Sequence, residues 1–406
     1  MASLLSKDHF EVTNGDKILT LNKLALAKQK TGEKVINATV GMLFDENKNL
    51  STCTFLEDMT SSLTDGNLRK YGSVNGGYAF KNSLNAWLLE NIDLKDVYIE
   101  TIATKGATGA LSLSMRNYCN KEQEILVPSI RWSNYDTIAS QVGCRIKEYN
   151  LFNSDDKLDI EAIKHAIDYS LNKYQRAYLL INDPCQNPTG YTMSLDEWEE
   201  LLKYLNDKAS SYPIVLLDDI AYLNYSDNSY EPVFELFKKY LTNQLMINIA
   251  FSASKTLSIY GYRGGGLIAL SNQKKNIEEF TLAIESTIRA TYSMPNNLTC
   301  HIINEAFKTF EKRQKIKEEI SINREMLKKR ANLFFEEANM VNLVSYPYVG
   351  GFFVLIPCED EEEVCQRLIK KNIFVVPMSG GVRVSLSSLT LEEVKGLAKN
   401  IKKALK

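Results

Sequence analysis

The chain has 406 residues, 44% hydrophobic and 24% charged, and its 48 basic and 50 acidic side chains leave a net charge of -2. That length exceeds what a single core serves, so one large domain and a smaller one are expected. The balanced charge, with no basic patch, argues against nucleic acid or anionic membrane as partners, and no run of about 18 apolar residues is present to span a bilayer.

Seven cysteines, an odd number, are scattered without a Cys-x-x-Cys pair. They read as reduced thiols of a cytoplasmic protein, not as a disulfide frame or a metal site. The start, Met1 to His9, has no apolar run behind a basic segment, so a soluble, unexported protein is expected. The three histidines, His9, His165 and His301, read as structural or surface residues, which leaves proton transfer to another group.

In chain order, a helical pattern over Ile18 to Lys30 is followed by short apolar runs alternating with amphipathic stretches. Val97 to Thr104, Glu124 to Pro128, Arg145 to Tyr149, Ala177 to Asn182, Ile214 to Asp218, Met246 to Phe251 and Gly266 to Leu270 read as buried strands. Helical patterns lie between several of them, among them Asp159 to Tyr174 and Ser194 to Lys208, where Ser194 and Glu197 form a capping box. The alternation predicts an α/β fold with a mostly parallel sheet covered on both faces. One long amphipathic helix is expected from about Ala306 to Glu337, joining two domains. Beyond it, Gly351 to Ile356, Ile373 to Pro377 and Val382 to Leu386 read as strands of a smaller α+β unit closed by a helix from Thr390 to Lys406.

In open α/β sheets ligands gather beyond the carboxyl ends of the strands, so the residues after each strand carry the chemistry. Thr104-Lys105-Gly106-Ala107-Thr108 runs into a helix; small residues and free N–H groups there suit a phosphate, or make a plain turn. Trp132 lies against a ligand ring or fills core. Asn187-Pro188-Thr189-Gly190 is a turn able to fix the Asn187 amide. Asp218 and Asp219 are neighbours on a strand, so at most one reaches a ligand. A carboxylate about 4 Å from a pyridine nitrogen, at an effective dielectric of about 20, is worth about 4 kcal/mol, or about 3 pKa units. That is enough to keep the ring charged. Ser252-Ala253-Ser254-Lys255, with Arg263 eight positions on, sets an amine among hydroxyls and a guanidinium. Lysine forms Schiff bases with aldehyde cofactors while Ser and Arg hold a phosphate; the alternative is a solvated lysine in a polar loop.

Taken together in this order, these motifs resemble the class I/II pyridoxal-phosphate-dependent aminotransferases of fold type I, most closely the aspartate and aromatic branch, from about Val40 to Arg383. The resemblance implies pyridoxal 5'-phosphate as cofactor and a mostly parallel seven-stranded sheet in a large α/β/α domain, with a smaller α+β domain formed by both termini. Boundaries would fall at 1–50, 51–310 and 311–406. It implies Lys255 as the Schiff-base lysine and general acid/base, Asp219 as partner of the pyridine nitrogen, Tyr222 and Asn187 on the phenolic oxygen, and Trp132 against the ring. The phosphate would meet the backbone of Gly106, Ala107 and Thr108, Ser252, Arg263 and, from a neighbouring subunit, Tyr71. A homodimer with shared sites follows.

For substrate, Arg383 would grip the α-carboxylate, Gly41 would belong to a closing loop, and Trp132 and Asn187 would border the bound amino acid. Arg289 is either the arginine that meets a distal carboxylate from across the dimer or a surface helix-end residue. The implied activity moves an amino group from an acidic or aromatic L-amino acid to a 2-oxo acid such as 2-oxoglutarate, in ping-pong fashion. Tyr135 stands where that branch often has histidine, Gln186 precedes Asn187 at a variable place, and Ser258 replaces a frequent glycine. A lyase or synthase of the same fold would share Lys255 and Asp219. A non-catalytic binding protein of this fold usually adds a DNA-binding segment, for which no basic patch is present.

Overall fold

The computed structural model describes residues 17–51, 53–59 and 66–406; His9 lies outside them. Among the described residues, twelve strands form three sheets. In chain order they are β1 (Ile36–Asn37), β2 (Tyr98–Lys105), β3 (Glu124–Pro128), β4 (Arg145–Tyr149), β5 (Ala177–Ile181), β6 (Ile214–Asp219), β7 (Leu245–Ser252), β8 (Gly264–Ser271), β9 (Phe353–Pro357), β10 (Ile373–Phe374), β11 (Val376–Met378) and β12 (Gly381–Ser385).

The largest sheet has seven strands in the order β2-β8-β7-β6-β5-β3-β4. Strand β8 runs against both its neighbours, and the other pairs are parallel. Its inner strands β5, β6, β7 and β8 are buried along their whole length, as a sheet covered on both sides requires. On β5, Leu179 and Ile181 enter one core while Tyr178 and Leu180 enter the other. Helices Ile160–Tyr174, Leu195–Lys208 and Asn297–Phe307 contribute to the first core, and Gly106–Tyr118, Asn134–Gln141 and Lys274–Thr291 to the second. The result is three layers with the sheet in the middle. The capping box of Ser194 and Glu197 is formed at the head of the helix Leu195–Lys208.

Strand β1 pairs in parallel with β10, Ile36 opposite Ile373, which brings the two ends of the described chain together. The third sheet has the order β11-β12-β9. Ala38, Phe334, Val354, Val382 and Leu397 belong to one apolar cluster beside these strands.

Two expected helices are interrupted. In place of one helix from Ala306 to Glu337, Asn297–Phe307 and Phe310–Met340 are separate, because Thr309 is extended and its hydroxyl caps the second helix at Lys312 N. The terminal helix is split into Leu391–Val394 and Leu397–Ala404 at Gly396, whose φ of 75° is left-handed. No helix among the described residues is long and apolar enough to cross a membrane.

Candidate active site

At the carboxyl edge of the large sheet, successive connections converge on a cavity of about 220 Å³. Helix start Ala107 and Thr108 enter it after β2, Trp132 after β3, Asn182 and Asn187 after β5, Asp219 from the end of β6, and Ser252 and Lys255 from the end of β7. Arg263 arrives just before β8, while Phe353 and Arg383 come from the β11-β12-β9 sheet and Gly41 from the segment after β1. A larger cavity of about 440 Å³, between the helix Phe310–Met340 and the segment 345–351, contains none of these groups.

Lys255 sits in the single turn Ala253–Thr256, and its Nζ donates to the Gly41 carbonyl at 2.6 Å. The amine stands 5.4 Å from the ring centre of Tyr222 and 4.9 Å from that of Tyr260. Enclosure, helped by the positive charges of Arg383 and Arg263 and opposed by Asp219, pulls its pKa down to about 7. At neutral pH much of the amine is therefore unprotonated and nucleophilic.

Asp219 and Asp218 face opposite ways, as neighbours on a strand must. The Asp219 carboxylate accepts from Tyr135 OH at 2.7 Å and from Ala221 N at 3.2 Å. Burial raises its pKa to about 6, against the pull of those two donors and of Lys255. Asp218 is turned away from the cavity and accepts from Tyr230 OH at 2.8 Å. Burial and the nearby Asp183 push it well above the usual carboxyl range.

One end of the cavity is built for an anion. The helix Gly106–Tyr118 points its first N–H groups there, and Gly106 has φ 70°. A Cβ at position 106 would lie 2.7 Å from Arg263 Nη2, so only glycine lets the guanidinium stand against the helix start. Arg263 Nη1 donates to Ser254 Oγ at 3.2 Å and to Tyr260 O at 3.0 Å.

At the other end, Arg383 is 1% exposed and lies 4.2 Å from the centre of the Phe353 ring. Its Nη1 donates to Asn187 Oδ1 at 3.1 Å and its Nη2 to Thr39 O at 2.8 Å. Asn187 is fixed by its own N–H, which donates to Asn182 Oδ1 at 2.9 Å. Trp132 is half-buried at the cavity wall, edge-on to Tyr135. Tyr222 is 5% exposed, with its ring edge-on to Phe352 and Phe353.

The expected residues Gly41, Ala107, Thr108, Trp132, Asn187, Asp219, Tyr222, Ser252, Lys255, Arg263 and Arg383 thus border one space, with Gly106 behind the helix start. Tyr71 and Arg289 do not enter it. Tyr71 is 93% exposed, and Arg289 Nη1 donates to Ser293 Oγ at 2.9 Å on the surface. Their segments meet there, Gly72 N donating to Met294 Sδ at 3.2 Å. Sequence reasoning missed Ile18, Asn182, Tyr260 and Phe353, all on the cavity wall. Asn182 ends an apolar run and could have been found by the strand-end rule; the other three arrive by long-range packing and carry no local signal.

Residues 33–401 match the model of the family described as aminotransferase class I and II. Among curated relatives, the aspartate aminotransferase of Haemophilus influenzae is 24% identical over 411 residues, covering 98% of this chain and 100% of that one. Among solved structures, an aminotransferase from Anaerococcus prevotii superposes over 100% of both chains with a TM-score of 0.94 at 28% identity. An aromatic-amino-acid aminotransferase from Burkholderia pseudomallei, covalently bound to pyridoxal phosphate, also covers 100% of both chains, with a TM-score of 0.83 at 21% identity.

Proposed function

The chain belongs to the class I and II aminotransferases, and from that membership we propose that its cavity binds pyridoxal 5'-phosphate and transfers amino groups between amino acids and 2-oxo acids. The observation that carries the reading is that Lys255, Asp219 and the anion-binding helix start border the same cavity.

The residues fit this cofactor group by group. Its aldehyde matches the Lys255 amine, its phosphate the N–H groups of Gly106, Ala107 and Thr108 with Ser252 and Arg263, and its ring nitrogen the Asp219 carboxylate. Tyr222 and Asn187 suit the phenolic oxygen, and Trp132 the ring face. When bound, the cofactor supplies an aldehyde that takes up amines covalently and an aromatic ring that accepts electrons.

The chain's own groups do the rest. Lys255 serves as tether and then, once displaced, as the base and acid that moves the α-proton of the amino acid. Its lowered pKa suits that role at neutral pH. Asp219 keeps the ring nitrogen charged. Arg383, held flat by Phe353 and Asn187, presents its fork to the α-carboxylate. The Gly41 segment closes over the bound amino acid.

The enzyme works as a homodimer in which Tyr71 and Arg289 serve the partner's site, a reading supported by the exposure of Tyr71, by Arg289 ending at Ser293 and by the contact between their segments. Boundaries near 50/51 and 310/311 assign, among the described residues, the middle of the chain to the cofactor-binding domain and both flanks to the second. The seven unpaired thiols fit a reducing, cytoplasmic setting. Donors are acidic or aromatic L-amino acids, the acceptor a 2-oxo acid such as 2-oxoglutarate, and the kinetics are ping-pong.

The test is direct. Protein incubated with pyridoxal phosphate should gain an absorption band that borohydride abolishes, and peptide mapping should find the label on Lys255. A Lys255→Ala protein that turns over amino acids at the parent rate would overturn the reading.

A further inference from the structure

We propose that Tyr135 is a positioning residue of this active site: its hydroxyl holds the Asp219 carboxylate charged and aimed into the cavity, so that the proton shared with a cofactor ring stays on the ring nitrogen. This rests on the reading above, in which Asp219 faces that nitrogen.

The geometry singles out this one bond. Asp219 is 3% exposed, so water offers its carboxylate little, and its charge depends on what the protein supplies. One oxygen has only the 3.2 Å bond from Ala221 N; the other has the 2.7 Å bond from Tyr135 OH, the shorter and charge-assisted contact. Tyr135 itself is 1% exposed in the helix Asn134–Gln141, its ring packed edge-on to Trp132, so the hydroxyl has little freedom to turn elsewhere.

The remaining groups around Asp219 cannot replace it. Lys255 attracts the carboxylate, but its amine is committed to the cofactor in the loaded enzyme. Asp218, next in the strand, faces the other way and accepts from Tyr230 OH, so it does not take Tyr135's place, while burial keeps Tyr222 a neutral neighbour. The phenol is also a donor with a fixed proton. Burial and the adjacent Asp219 push its own ionisation well above the ordinary tyrosine range. The donor therefore persists over the whole range in which the enzyme works, and the charge on Asp219 does not depend on a second titrating group.

Tyr135→Phe removes the hydroxyl and keeps the ring, and Tyr178→Phe is its control. Tyr178 is 0% exposed on β5, its hydroxyl donates to Ser114 Oγ at 2.7 Å, and it lies outside the cavity. The experiment loads both variants and the parent with pyridoxal phosphate labelled with ¹⁵N in the ring. It records the nitrogen chemical shift, the cofactor dissociation constant, and kcat and KM for one amino donor. In Tyr135→Phe the shift should move toward that of an unprotonated ring. Cofactor should bind on the order of tenfold more weakly, the loss expected for one charge-assisted bond, and kcat should fall with KM little changed. Tyr178→Phe should lower thermal stability comparably and leave all of these readouts at parent values. A Tyr135→Phe protein with the parent's nitrogen shift and cofactor affinity overturns the inference, as does an equal effect of Tyr178→Phe on the shift. If the parent itself takes no borohydride-stable label on Lys255, the functional reading has failed instead.

Discussion

The Lys255 amine donates to the Gly41 carbonyl across 214 residues of sequence, tying the segment after β1 to the cavity lysine. The contact needs a residue without a side chain, because a Cβ at position 41 would lie 2.6 Å from Phe353 Cζ and 3.5 Å from the amine itself. Phe353 cannot yield freely, since the Arg383 guanidinium lies 4.2 Å from its ring centre.

Gly41→Ala should therefore act on substrate more than on cofactor. Overpacking of this kind costs about 1 to 3 kcal/mol. Displacing Phe353 spends it on Arg383, the arginine proposed to receive the α-carboxylate. We expect KM for the amino donor to rise about tenfold or more, with the borohydride-stable label on Lys255 unchanged. Steady-state kinetics beside a label count would check this; loss of label at unchanged KM would contradict it.

The lowered pKa of Lys255 makes the lysine a cost to the cofactor-free protein. Between about 7 in the folded state and the ordinary 10.5, the unfolded chain carries a proton that the folded one does not, so stability from this group rises with pH across that window. Below it both states are charged and the burial cost is felt in full. Lys255→Met should thus be more stable than the parent at pH 7, by at most a few kcal/mol at about 1.4 kcal/mol per pKa unit, and the gap should close toward pH 10.5. Urea unfolding of both cofactor-free proteins at several pH values would show it. A constant gap would mean that the amine is not desolvated.

Neighbouring carboxylates should respond in opposite ways. Asp218 is held neutral by burial, with Tyr230 on one oxygen, so Asp218→Asn replaces one neutral group by another of similar shape. Its activity should stay within a few-fold of the parent. Asp219→Asn removes the charge facing the cavity, and an interaction of about 4 kcal/mol corresponds to roughly a thousandfold in rate. Single-turnover rates with one amino donor would separate the two.

Much of this site was legible because several of its groups lie at or just after apolar runs that read as buried strands. Asp219 and Ser252 end β6 and β7, and Gly106 opens the helix after β2. Where a group reaches the cavity by tertiary packing, no local pattern betrays it. Phe353 comes from β9 and Ile18 from the first helix, more than 300 residues apart, and both read as ordinary apolar positions. The missed helix breaks have a related cause. Apolar spacing continues through Thr309, and only its capping hydroxyl and extended backbone mark the interruption.

Shared active sites make the last prediction, since Tyr71 is 93% exposed and Arg289 ends at Ser293 rather than in its own cavity. If Tyr71 completes the phosphate site of a second copy, Tyr71→Ala and Lys255→Ala should each be severely impaired alone. Mixed by unfolding and refolding together, equal amounts form hybrid dimers in which one site holds both changes and the other neither, so about a quarter of all sites regain the full set of groups. Activity should recover to about that share. Arg289→Leu should raise KM for aspartate or glutamate while leaving phenylalanine or tyrosine nearly untouched, because only the acidic donors carry a second carboxylate for its fork. Absence of recovery in the mixture would place Tyr71 outside the site, and equal losses for both donor classes would make Arg289 a surface residue after all.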